Sequence, residues 1–259
     1  MPAAHPKVAA PTVVLALGLG VLALLSPAAR DPHVEHAGTT GRLTGLTAPE
    51  VLDRALSATK GAPSLRVEVA RGRTGGGATR AFLSVGPGGR CAGTLTVGTA
   101  GTVELIRTGD DAYVRFDEAY LRAERAAGGQ GSPHRTERVL TMLRGRWLRT
   151  DPADPAPGGG PDPCDLEALL ADVEANAVSA RRAGHATVDG RSALRLTVPA
   201  RGATTTAYVA AEGEPYLLRT ETRGGAAPGT VSLTASDDPA GADPPAPRDV
   251  VDLGPRRGT

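Results

Sequence analysis

Cys91 and Cys164 have the greatest chemical potential of any side chains in this 259-residue sequence. No histidine stands near either, so they do not form a zinc site, and nothing beside them would activate a nucleophile. In an oxidising compartment an even pair is a disulfide candidate. The bridge would close a loop of about 70 residues and stabilise by on the order of 4 kcal/mol in the chain-entropy model. The other reactive side chains are scattered. His33 and His36 sit in a Gly/Thr-rich stretch without periodicity, while His134 and His185 each stand alone. Asp110-Asp111 and Asp237-Asp238 are acidic pairs that turn chemistry explains better than acid–base catalysis or calcium binding. Gly75-Gly76-Gly77 is no phosphate loop, because no Lys-Ser/Thr follows and no helix opens there. The sequence contains no Gly-x-Ser-x-Gly elbow. These residues define no catalytic set, no metal site and no cofactor, and the reading is a non-enzyme.

Location says more than chemistry. Val13 to Leu25 is one apolar run behind a thin leader containing Lys7, followed by Ser26-Pro27-Ala28-Ala29. At about 13 residues it is short of the roughly 20 that a spanning helix needs. It reads as a secretory signal over 1–29, with an uncleaved N-terminal anchor, and membrane association through it, as the alternative. The protein is expected outside the cytoplasm, secreted or associated with the envelope. The chain's 29 basic and 28 acidic residues become 28 and 28 once Lys7 leaves. That balance favours neither nucleic acid nor an anionic membrane surface. Only seven aromatic residues occur, which disfavours sugar-binding and base-stacking platforms.

The elements that follow are strongly patterned. Residues 30–46 read as a flexible linker. Thr47-Ala48-Pro49-Glu50 is a capping box opening a helix to about Lys60, with Val51, Leu52, Ala55 and Leu56 on one face. Five alternating stretches come next: Leu65/Val67/Val69, Ala81/Leu83/Val85, Cys91 to Val97, Val103/Leu105/Arg107 and Ala112 to Phe116. Helices are expected over Asp117–Ala127 and Pro133–Arg144. An extended piece, Arg146–Arg149, precedes a helix capped by Asp162 that buries Leu166, Leu169, Leu170 and Val173. Five further strands begin near Arg182, with Asp189-Gly190 as a hairpin turn. Val250, Val251 and Leu253 either dock or close the sheet, and 254–259 is a tail. A long antiparallel sheet with one apolar face must curl and be covered, and the inserted helices are the available cover.

This order resembles the LolA-like superfamily, in particular actinobacterial lipoproteins of the LppX/LprG type. The phrases that carry the resemblance are Gly109-Asp110-Asp111-Ala112-Tyr113-Val114-Arg115, Gly145-Arg146-Trp147-Leu148, Asp189-Gly190 and Gly213-Glu214-Pro215-Tyr216-Leu217-Leu218-Arg219. The placement of Cys91 and Cys164 is also similar. The resemblance covers 47–253 and implies an α+β fold, a curved antiparallel half-barrel with helices across its concave face. It also implies an apolar cavity for a lipid or lipidated partner in a monomeric carrier. By strand parity, Leu83, Leu95, Leu105, Leu194, Leu196 and Val209 would line that cavity. A structural or sensory module with a packed interior and a protein partner is the alternative. One departure is plain: Leu25-Ser26-Pro27-Ala28-Ala29 has no lipobox cysteine, so lipid anchoring is not expected.

Overall fold

The computed structural model describes residues 43–72, 78–126, 133–154, 162–225 and 228–253. The leader, the linker as far as residue 42, the Gly75–Gly77 turn and the 254–259 tail lie outside the described residues.

Helix α1 (Ala48–Lys60) starts at the capping box. Thr47 N–H donates to Glu50 Oε2 at 2.7 Å, and Glu50 N–H donates back to Thr47 Oγ1 at 3.5 Å. Val51, Leu52 and Ala55 are fully buried against the sheet. Five strands follow: β1 (Leu65–Arg71), β2 (Thr79–Val85), β3 (Arg90–Val97), β4 (Gly101–Thr108) and β5 (Ala112–Phe116). The insert comprises α2 (Glu118–Ala126), α3 (Pro133–Leu143), β6 (Trp147–Thr150) and α4 (Leu166–Ala175). Strands β7 (Arg181–Val188), β8 (Arg191–Ala200), β9 (Ala203–Ala210), β10 (Leu217–Gly224) and β11 (Gly229–Ala235) complete the second meander, and β12 (Val250–Val251) is the last described element.

Among the described residues, twelve strands form one open sheet in the order β12-β6-β5-β4-β3-β2-β1-β11-β10-β9-β8-β7. The two meanders meet at an antiparallel β1–β11 seam, where Val67 faces Leu233 and Val69 faces Val231. Among the described residues, only the short β12–β6 pair is parallel. The β7–β8 hairpin turns on Asp189 (φ 49°) and Gly190 (φ 80°), two left-handed residues that match the right-handed twist of the strands. Arg219 Nη2 donates to both Asp189 carboxylate oxygens at 3.1 Å.

The alternating residues of β1–β4 and β8–β11 form one core with α1 and α4. Each leucine moved from water into it contributes about 1.5–3 kcal/mol. Lys60 of α1 reaches across to α4, with Nζ 2.8 Å from Glu174 Oε2 and 2.5 Å from Glu167 Oε2. With both carboxylates half-exposed or more, this strut adds little stability.

A stronger tie is buried. Thr59 has no exposed surface. Its Oγ1 donates to Ala55 O at 2.7 Å and accepts from Leu217 N–H at 2.8 Å, where the β9–β10 register shifts. Thr59→Val keeps the shape but leaves that N–H without an acceptor. We expect a loss of about 1–3 kcal/mol in urea unfolding, with Thr59→Ser recovering much of it. Equal stabilities for the Val and Ser variants would show that the bond contributes nothing.

The start of α4 corrects one expectation. Asp165, not Asp162, caps the helix, its Oδ1 accepting from Ala168 N–H at 3.0 Å. Asp162 lies one turn earlier, held by an arginine of β4. Consequently Leu166 is only partly buried, while Leu169, Leu170 and Val173 are buried as the stripe requires.

Candidate functional site

Strands β4, β5 and β6 extend the sheet beyond the cover of α1, and their inner face is built in rows. Leu105, Val114 and Leu148 form one row, and Arg107, Ala112 and Thr150 the next. Above them the chain reverses at Asp117. Its Oδ2 accepts from Thr102 N–H at 2.8 Å and its Oδ1 from Tyr120 N–H at 2.7 Å, so one carboxylate starts α2 and fastens it to β4. Gly101 permits this approach. A Cβ there would lie 2.4 Å from Tyr120 N, and its φ of 144° suits glycine. Phe116 and Tyr120 stack with ring centroids 5.0 Å apart.

Leu121 of α2, Leu143 of α3 and Val251 of β12 make a small second core with Phe116, Val139, Leu140 and Leu148. This thin roof leaves a cleft of about 330 Å³ between the helices and β4–β6. The floor is Leu105, Ala112, Val114 and Leu148; Leu140 and Leu143 face it, and Leu253, 52% exposed, stands at its rim.

The two ends of the cleft are polar. At one, Arg107 forms an ion pair with Asp162, and Nη2 also donates to Pro152 O at 2.9 Å. The guanidinium Nε is buried with no acceptor among the described residues. Asp162 Oδ1 accepts from Cys164 N–H at 2.9 Å, and Cys164 is bonded to Cys91, Cα to Cα 5.7 Å. Because Cys91 pairs with Arg107 across the β3–β4 ladder, the disulfide fixes the Asp162 turn directly over its arginine partner. At the other end stand Tyr120 and Glu124. The Tyr120 hydroxyl is pushed above its ordinary pKa, first by burial and then by the Glu124 carboxylate.

All six residues selected by strand parity lie on the inner face and are buried. Leu105 also lines the cleft, whereas Leu83, Leu95, Leu194, Leu196 and Val209 pack within the main core. Parity identifies the face but not what lies above it. Among the residues it missed, Ala112, Val114, Leu148 and Leu253 become cleft residues only because α2 and α3 stand away from the sheet there. The apolar stripe Val139, Leu140 and Leu143 was the available signal. Among the described residues, no group of three His, Cys, Asp or Glu is placed to hold a metal, and no helix is long and apolar enough to cross a membrane.

No family model matches the sequence, and no curated protein does. Solved structures do. LprF from Mycobacterium bovis superposes with a TM-score of 0.50 at 15% identity, over 77% of this chain and 97% of that one. This chain has the LolA-like fold. The lipoprotein LppX from Mycobacterium tuberculosis also aligns, at 17% identity over 76% of this chain and 98% of that one, with a TM-score of 0.44. The LolA-like sheet here is open, and its helices cover the face that carries the core.

Proposed function

We propose that this protein is an extracytoplasmic, non-enzymatic binding module that holds the alkyl chain of a lipid or lipidated molecule in the cleft between β4–β6 and α2–α3. The single observation carrying this reading is the half-enclosed apolar cleft itself. An apolar space of this size is at the lower end of small-molecule sites. At about 30 Å³ per group the size of a water molecule, it accepts on the order of ten methylene-sized groups. These would contribute about 8 kcal/mol before the cost of association, so affinities tighter than micromolar are not expected for a simple chain. The Cys91–Cys164 bridge supports an oxidising compartment.

A neutral apolar fluorophore, N-phenyl-1-naphthylamine, tests the reading. Its emission should rise with the wild-type protein and fall when dodecan-1-ol displaces it. Ala112→Phe puts a ring into the cleft floor and should remove the displaceable signal while circular dichroism stays unchanged. A folded wild type that never raises the emission overturns the proposal.

A second reading, a structural or sensory module that binds a protein partner, is favoured by one feature. Beneath α1 and α4 the inner face is solidly packed, with Leu52, Leu170 and Leu196 fully buried. Co-purification of a stoichiometric protein partner by a variant with its cleft filled would support it.

A further inference from the structure

We infer that the occupant of the cleft is a single-chain lipid with an ammonium head. The inference rests on the cleft being the ligand site. A volume of about 330 Å³ accommodates one medium alkyl chain and not two. Charge then selects the head. Arg107 is the one cation among the described lining residues, against Glu124, Asp151, Asp154 and Asp162. It is already paired with a carboxylate. Nη2 is taken by Asp162 and by Pro152 O, and Nε is shut away from solvent.

With the Arg107–Asp162 pair neutral, an incoming head meets Asp151 at the end of β6, an exposed carboxylate whose Oδ1 accepts from Ala153 N–H at 2.8 Å. At the α2 end it meets Glu124. Arginines nearby do not reverse this balance. Arg125 is held by Glu137 at 3.1 Å and Arg144 by Glu118 at 3.6 Å, Arg122 Nε donates to Glu118 O at 3.2 Å, and none of these, nor Arg138 of α3, lines the cleft. Arg149 is engaged by Asp111 and Asp252, on the row that faces away from the cleft. Helix α3 contributes only Val139, Leu140 and Leu143 to the lining. The lining itself therefore favours an ammonium group over a carboxylate or phosphate.

Calorimetric titration with dodecylammonium, dodecanoate and dodecan-1-ol, each below its micellar concentration, separates chain from head. At low salt dodecylammonium should bind about tenfold tighter than dodecanoate, with the alcohol between them. The gap should narrow between about 0.05 and 0.5 M salt as the carboxylates are screened. In the folded double variant Asp151→Asn, Glu124→Gln it should shrink to about threefold or less, leaving dodecan-1-ol unaffected. Equal binding of all three probes, tightest binding of dodecanoate, or a preference that survives the double variant overturns the head assignment while leaving the cleft as a chain-binding site. Binding of none of the three removes the cleft reading itself.

Discussion

Replacing both bridge residues, Cys91→Ala with Cys164→Ala, should lower the unfolding free energy by about 4 kcal/mol and the melting temperature by about 8–16 °C. The two cysteines are 73 residues apart, and the loop between them contains β4, β5, α2, α3 and β6. Opening it returns conformational freedom to the part of the unfolded chain that builds the cleft. The native state also loses a positioning link. Asp162 is two residues from Cys164 and accepts its N–H, so releasing the sulfur frees the turn that neutralises Arg107. An arginine side chain only 14% exposed does not tolerate solitude in an apolar wall. The variant should therefore lose binding of N-phenyl-1-naphthylamine at temperatures where its far-ultraviolet dichroism is still native. Single replacement of Asp162 by Asn, which keeps the bridge, separates the two effects. It should weaken the cleft while costing less stability than the double cysteine variant. A loss below about 1 kcal/mol for the double variant would show that the bridge does not stabilise this fold.

The same region shows how far the sequence could be read. Strand identity was legible because one face of the sheet is buried and the other is not, so β1 alternates Leu65, Arg66, Val67, Glu68, Val69 without interruption. The first helix was legible because its capping box is local, requiring only Thr47 and Glu50 three residues apart. Asp189-Gly190 was legible for the same reason: both residues adopt positive φ, and the turn needs nothing from elsewhere. Where the decision belonged to a distant partner, local pattern failed. Local pattern points to Asp162 as the cap, and the structure has Asp165 there. What assigns the role to Asp165 is Arg107, 55 residues earlier in the chain, which draws Asp162 away. The β1–β11 seam and the parallel β12–β6 pair were beyond reach because neither has a connecting turn to announce it.

The candidate site was legible as a face and not as a place. Leu105 and Leu95 have the same parity and the same side-chain type, yet Leu105 borders open space and Leu95 lies in packed core. The difference is made by α2, which Asp117 and Gly101 fix at the Thr102 end of β4, and by the thin cluster of Leu121, Leu143 and Val251 that holds the roof. No single one of these contacts has a sequence signature. The cleft is a property of how far the insert can fold back over β4–β6 when its buried apolar side chains are so few.

The second large effect is expected at Gly93, in the middle of β3. It faces Leu83 on one side and Leu105 on the other, on the row that continues into the cleft floor. A Cβ at this position would lie 2.1 Å from Phe82 O, 2.8 Å from Leu83 Cα and 2.9 Å from Leu83 Cδ2. Two of those atoms are backbone and cannot rotate aside. Gly93→Ala must therefore push β2 from β3 and stretch the ladder between them, costing about 3–5 kcal/mol, near the upper end for a single substitution. Gly88→Ala provides the contrast. Its φ of 68° is left-handed, but nothing lies within 4 Å of the added carbon, so only the left-handed backbone penalty of about 1–2 kcal/mol remains. Urea unfolding of the pair should place Gly93→Ala well below Gly88→Ala. The fluorophore should report a damaged cleft only for Gly93→Ala, because β3, displaced from β2, carries the β4 partner Leu105 with it. If the two alanine variants prove equally stable, β2 and β3 are not in close contact at Gly93.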